Sequence, residues 1–195
     1  MELESADEGD ILDVDQTFCQ RLKSLVQNKS FVLLCVSLTG LYFIITGIQY
    51  WVSDYLITEI GQSESVVFIS FAIISVTGPV LGVVVGGNVT TALGGYNSEK
   101  SLILSSCVSV FCLCCAAPIP FFDNFYVVAI LLWLLLFFGG FILPCMTGIM
   151  LNTVDQSLKT TANSIANLSY NMLGFLPAPF VYGAIYDFGE GKNAR

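Results

Sequence analysis

The side chains able to do chemistry within the apolar part of this chain are neutral. Tyr42, Thr46, Gln49 and Ser53 recur at steps of four, three and four, with Tyr50 beside them. That spacing puts four hydrogen-bonding groups on one helical face. Asn163, Asn167 and Asn171 make a second stripe at steps of four, continued by Gly174 and Ala178. Groups of this kind hydrogen-bond a solute or bridge neighbouring helices. They do not support acid–base or nucleophilic catalysis, because the chain has no histidine and no nucleophile has a base beside it. An enzyme is not expected. Nor is a cofactor, since the glycine-rich stretches lack the lysine and context of a phosphate loop. Cys35, Cys107, Cys112, Cys114, Cys115 and Cys145 fall in apolar runs, where cysteine behaves as a small hydrophobe. No metal site is expected of them, because zinc ligands come as spaced sets with polar support.

The elements that must carry these stripes are long and uncharged. Hydrophobic residues make up 55% of the 195, charged residues only 11%, and the mean hydropathy is +0.77. A soluble domain carries about a quarter charged residues. Here the acids concentrate in a tail (Glu2, Glu4, Asp7, Glu8, Asp10, Asp13, Asp15), followed by Arg21, Lys23 and Lys29. The net charge of −8 therefore describes a tail and loops, with no basic field for nucleic acid. Five stretches have the roughly 20 apolar residues that a hydrocarbon core of about 30 Å requires: 31–53, 66–88, 101–119, 126–151 and 162–186. None contains Asp, Glu, Lys, Arg or His, as the penalty for a charge at mid-membrane demands.

Five spans place alternate loops on opposite sides. Arg21, Lys23, Lys29, Lys100 and Lys159 fall on one side, and Lys192 and Arg195 at the chain end break the pattern. The loops at 54–65 and 120–125 carry only Asp54, Glu59, Glu64 and Asp123. The positive-inside rule then predicts a cytosolic N-terminus. Ile11, Val14, Phe18, Leu22 and Leu25 recur at helical spacing, which predicts a short amphipathic helix within 11–26, lying on the membrane or on helix ends. The expected organisation is a cytosolic segment over 1–29, a membrane bundle over 30–187 and a tail over 188–195.

Two spans carry further punctuation. Gly78, Gly82 and Gly86 recur every four residues in the second, a face that admits another helix backbone closely or touches substrate. The fourth carries Gly139, Gly140, Pro144, Thr147, Gly148 and Asn152. This predicts a kinked helix with freed carbonyls, either lining a solute path or merely bent.

Taken in order, these residues resemble the C-terminal half of a major facilitator superfamily transporter, and most of all the Spinster-like group. The carriers are Thr46-Gly-Ile-Gln-Tyr-Trp51, then Gly82, Gly86 and Gly87 with Leu93-Gly94-Gly95-Tyr96, and Pro144-Cys-Met-Thr-Gly148. The run from Thr161 through Asn163, Asn167, Leu173-Gly174, Pro177 and Pro179 to Gly183-Ala-Ile-Tyr-Asp187 completes them. The resemblance implies an all-α polytopic membrane bundle, a partial six-helix repeat whose five spans correspond to helices seven to eleven. It implies cavity roles for Tyr42, Thr46, Gln49, Tyr50, Trp133, Phe137 and Thr147. The Gly78, Gly82, Gly86 face and the Asn163, Asn167, Asn171 stripe become packing or interface elements.

The chain also departs from the family pattern. Thr91 and Ala92 stand where the family's loop motif carries an ion pair. Helices one to six and the twelfth are not in the chain, so one repeat cannot enclose a substrate by itself. The expected partners are the lipid bilayer, an N-terminal half or partner chain, and a small-molecule or lipid substrate. The function expected is secondary transport of a small or amphiphilic organic solute, with this chain a piece of the transporter. A non-transporting scaffold, or a half-transporter working with a partner chain, is the alternative.

Overall fold

Small polar residues set where the helices begin. Asn28 accepts from the Phe31 N–H at 3.2 Å, Ser98 from Lys100 at 3.3 Å and Asn124 from Tyr126 at 3.0 Å. Each satisfies a donor that a helix start leaves open. The computed structural model describes residues 18–193, with side chains described to residue 186. Its elements are α1 (Phe18–Gln27), α2 (Lys29–Thr58), α3 (Glu64–Ala92), α4 (Glu99–Ala116), α5 (Phe125–Asn152), α6 (Lys159–Tyr170) and α7 (Ala178–Asn193). Single 3₁₀ turns lie at Ile119–Phe121 and Gln156–Leu158, and a π turn lies at Asn171–Phe175. The described residues form an all-helical bundle, the expected class.

Four segments are long and apolar enough to cross a membrane: Lys29–Thr58, Glu64–Ala92, Glu99–Phe121 and Phe125–Asn152. Each contains one of the first four expected spans and extends past it, because the caps lie in the polar flanks. Hydroxyls along them bond back to the carbonyl four residues earlier, as Thr39 does to Cys35 at 2.8 Å and Thr90 to Gly86 at 2.7 Å. A helix surrounded by lipid has no water to satisfy such groups.

The fifth stretch departs from the expectation of one continuous α-helix. Its path runs through α6, the π turn, a turn at Leu176 and Pro177, and α7. Pro177 has no N–H to return to Leu173, which disrupts the i→i−4 ladder. The Leu176 N–H reaches the Asn171 carbonyl instead, at 2.9 Å. This wider turn has a packing reason. Ala162, Ala166, Tyr170, Gly174 and Ala178 lie four apart and are all buried. In a straight α-helix each step of four drifts about 40°, so the row would leave its neighbour. The π turn absorbs the drift, and Gly174 meets the backbone of Thr39 and Phe43 on α2. Gly174 and Ala178 therefore do not continue the asparagine stripe; they belong to the buried row.

The tightest pair is α3 with α5. Ile74, Gly78, Gly82, Gly86 and Thr90, again four apart, are buried. A Cβ on Gly82 would run into the Phe137 carbonyl, and one on Gly86 into that of Phe141. Backbones this close gain dispersion and Cα–H···O contacts. Apolar clusters close both ends of the bundle. Leu25, Phe31, Leu38, Met150, Leu158 and Tyr170 pack at one; Val52, Leu56, Val67, Phe125 and Leu132 pack at the other. At the first end Leu25 seats α1 on α2 and α6, while Phe18 of the same helix stays exposed. Ile11 and Val14 lie outside the described residues. Lys29, Lys100 and Lys159 sit at this end, with Glu99 and Asp155. Asp54, Glu59, Glu64 and Asp123 sit at the other, where α7 carries Lys192 near its end.

Candidate functional site

Pro79 and Pro144 interrupt the two helices of that tight pair. Pro79 has no N–H for the Ser75 carbonyl, and Pro144 has none for Gly140. Gly140 lies against the Pro79 backbone, where a Cβ would stand 2.6 Å from the Pro79 oxygen. Two weakened points of the helix ladder thus meet. A cavity of about 90 Å³ lies there, lined by Tyr42, Ile45, Gln49, Pro79, Gly140 and Leu143, with Leu136.

Tyr42 and Gln49 come from α2 and line it chiefly with carbon. Neither the Tyr42 hydroxyl nor the Gln49 amide makes a hydrogen bond among the described residues. Tyr42 is held instead by its ring, stacked on Tyr170. One turn from Pro79 on the same face, Ser75 Oγ is buried without a hydrogen-bond partner. An unpartnered buried hydroxyl is unfavourable by about 1–3 kcal/mol. Around this cavity, rather than in its lining, the described chain thus leaves hydrogen-bonding groups unused, where most serines and threonines of the spans satisfy themselves.

The remaining sequence candidates are placed elsewhere. Thr46 is buried, 8% exposed, between Tyr42 and Gln49 on the same helix. Tyr50 is 64% exposed and meets Trp51 edge-on. Trp133 and Phe137 stack with centroids 5.3 Å apart, and Trp133 Nε1 donates to Thr77 Oγ1 at 3.0 Å. Both are tied to α3 and lie outside the cavity lining. Thr147 is one turn beyond Leu143. Its neighbour Gly148 seats the Tyr96 ring, which would collide with a Cβ there. Tyr96 follows Gly94 and Gly95, whose φ values of +102° and +80° suit glycine. The turn between α3 and α4 is thereby docked on α5 by an aromatic ring.

The asparagine stripe stands on the outer surface of α6. Asn167 Nδ2 donates to the Asn163 carbonyl at 2.8 Å, and Asn171 Nδ2 to the Asn167 carbonyl at 2.7 Å. Gly78, Gly82 and Gly86 are filled by α5 within the chain. The glycine face, expected as a packing or interface element, receives the α5 backbone, because only a bare Cα admits that approach.

A larger cavity, about 420 Å³, lies on another face of α2 between α4 and α5. Leu41, Ile44, Ile48, Leu113 and Ile142 dominate its lining, and none of the seven cavity candidates contributes. Its lining is chiefly carbon, with Ser37 and Ser109 among it.

Sequence reasoning missed Tyr170, Ser75, Pro79 and Leu143. Pro79 had a visible signal, a proline inside an apolar run beside a glycine row, and Ser75 follows from it by the four-residue rule. Tyr170 had no local signal, since its partner is 128 residues away.

The sequence pattern of the Major Facilitator Superfamily matches residues 4–179, whereas no curated protein and no solved structure matches the chain. That match takes in α1 to α6, the two proline-interrupted helices and the π turn. By this match, and by its apolar multi-helix bundle, the chain belongs to the Major Facilitator Superfamily of membrane transporters.

Proposed function

We propose that this chain supplies the C-terminal part, helices seven to eleven, of a Spinster-like secondary transporter working by alternating access. Its cargo is a small or amphiphilic organic solute, and the Tyr42–Gln49 face lines the path. One observation carries the reading: α3 and α5 meet at Pro79 and Gly140 beside Tyr42 and Gln49, with Ser75 Oγ unpartnered a turn away. Interrupted helices with spare carbonyls are how transporters line a path through lipid. The positions of Lys29, Lys100 and Lys159 support a cytosolic lysine-bearing end. The exposed asparagine ladder supports a helical partner across the path, because amide groups in lipid need protein or water.

The test is solute uptake into proteoliposomes by the intact transporter carrying this segment. Gln49→Ala is expected to lower the initial rate about tenfold, the value of a hydrogen bond of roughly 1.4 kcal/mol, with an unchanged yield of folded protein. Loss of folded protein in step with flux would assign Gln49 a structural role and remove the reading.

A further inference from the structure

Toward the acidic end of the bundle α7 is clasped to α2 by rings set over glycines. The Tyr182 ring lies over Gly47, where any Cβ would collide with it. The Trp51 indole lies over Gly183, whose added Cβ would stand 3.1 Å from Cζ2, and Trp51 Nε1 donates to the Pro179 carbonyl at 3.3 Å. Tyr182 also meets Phe43, with centroids 5.7 Å apart. Among the described residues α7 packs chiefly on α2 and the π turn, and Phe180, Val181 and Ile185 are exposed. Beside the clasp, between Trp51, Tyr55, Tyr182 and Tyr186, a cleft of about 260 Å³ stays open, walled almost wholly by carbon.

We propose that α7 is a hinged half-helix, which swings off α2 at the acidic end while α6 stays in place. The joint is weak: Pro177 and Pro179 return no N–H to Leu173 and Phe175, and the Leu176 N–H closes a wide turn onto Asn171 at 2.9 Å. Upstream of the joint the span is fixed, since Ala162, Ala166 and Gly174 are buried and Tyr170 stacks on Tyr42. Downstream the clasp is chiefly ring against bare backbone, so parting it leaves few polar groups unpaired, and the cleft gives the rings room to move. A ring in a glycine hollow is seated or released, two discrete arrangements of the kind a hinge movement needs. A helix bent for packing alone accounts for the weak joint. It does not account for reciprocal glycine hollows on α2 and α7 beside unfilled space.

The inference is read as movement and stands apart from the transport reading. The whole chain is labelled with 5-fluorotryptophan and studied in maltoside micelles by fluorine NMR. Because the chain has two tryptophans, Trp133→Phe leaves Trp51 as the reporter. Trp51 is expected to show a seated and a released environment in exchange. Tyr182→Ala removes a ring of the clasp without overpacking and is expected to raise the released-to-seated ratio about tenfold, the effect of about 1.4 kcal/mol. Pro177→Ala with Pro179→Ala returns two N–H donors to the joint and is expected to lower that ratio by a similar factor. Amide exchange separates a hinge from loosening of the whole span: residues 178–186 should quicken in Tyr182→Ala while 159–170 keep the parent rate. One Trp51 environment in parent and Tyr182→Ala alike, an unchanged ratio in the proline variant, or quickening of 159–170 in step with 178–186 overturns the proposal.

Discussion

Tyr42 on α2 and Tyr170 at the end of α6 stack with ring centroids 4.4 Å apart and planes 5° from parallel. The contact joins residues 128 positions apart, on the helix that carries the polar stripe and the one that carries the asparagine ladder. Stacking of this kind contributes about 0.5–1.5 kcal/mol beyond area burial. Tyr42→Phe keeps the ring and loses the hydroxyl; Tyr42→Leu loses the stack. Thermal unfolding in micelles should show Tyr42→Phe close to the parent and Tyr42→Leu lowered by about 1–2 kcal/mol. Uptake by the intact transporter should fall in both. A Tyr42→Phe protein that transports normally would remove the hydroxyl from the path.

The α3–α5 contact predicts opposite outcomes for one substitution at two glycines. A Cβ at Gly82 meets the Phe137 carbonyl, whereas one at Gly87 finds nothing within 4 Å. Gly82→Ala should destabilise by about 1–3 kcal/mol through overpacking. Gly87→Ala should be neutral or stabilising by about 0.5–1 kcal/mol, from lower unfolded-state entropy. Paired thermal melts check this, and equal behaviour would refute the close approach.

Asn28 does two things. Its Oδ1 caps α2 through Phe31, and its Nδ2 donates to the Thr153 carbonyl at 2.6 Å, beyond the end of α5. Asn28→Asp keeps the cap and loses the donor; Asn28→Ala loses both. The Ala variant should lose about 1–2 kcal/mol and the Asp variant a smaller part of it. Amide exchange at residues 29–31 should quicken in the Ala variant alone.

Pro79→Ala returns an N–H to the Ser75 carbonyl. The expected result is unchanged or higher stability with slower uptake, since the helix closes at the cavity. Reduced stability together with normal uptake would show the proline to be structural.

The membrane-embedded class was readable because lipid writes its demand into composition: long runs without charge have few other uses. The helix starts were readable from Asn28, Ser98 and Asn124, since capping is local chemistry. The Tyr42–Gln49 spacing also placed both residues on one wall. Trp133 and Phe137 went to a different neighbour because which helix faces which is a tertiary matter, settled by Thr77 and Gly78 on α3. The fifth span failed as one helix for a related reason. Hydropathy measures what surrounds a segment and is blind to an extra residue in one turn.

That extra residue acts as a phase setting between two contacts. Upstream of it Tyr170 finds Tyr42; downstream Tyr182 finds the hollow at Gly47. Ordinary α winding over all of 171–175 would carry everything beyond them about 90° round the axis, so Tyr182 would leave its seat while Tyr170 kept its own. Loss of one residue from 171–175 would instead close the wide turn to an α turn and keep both contacts. A single deletion within this turn should therefore be milder than the same deletion elsewhere in α6 or α7, where nothing takes up the lost step.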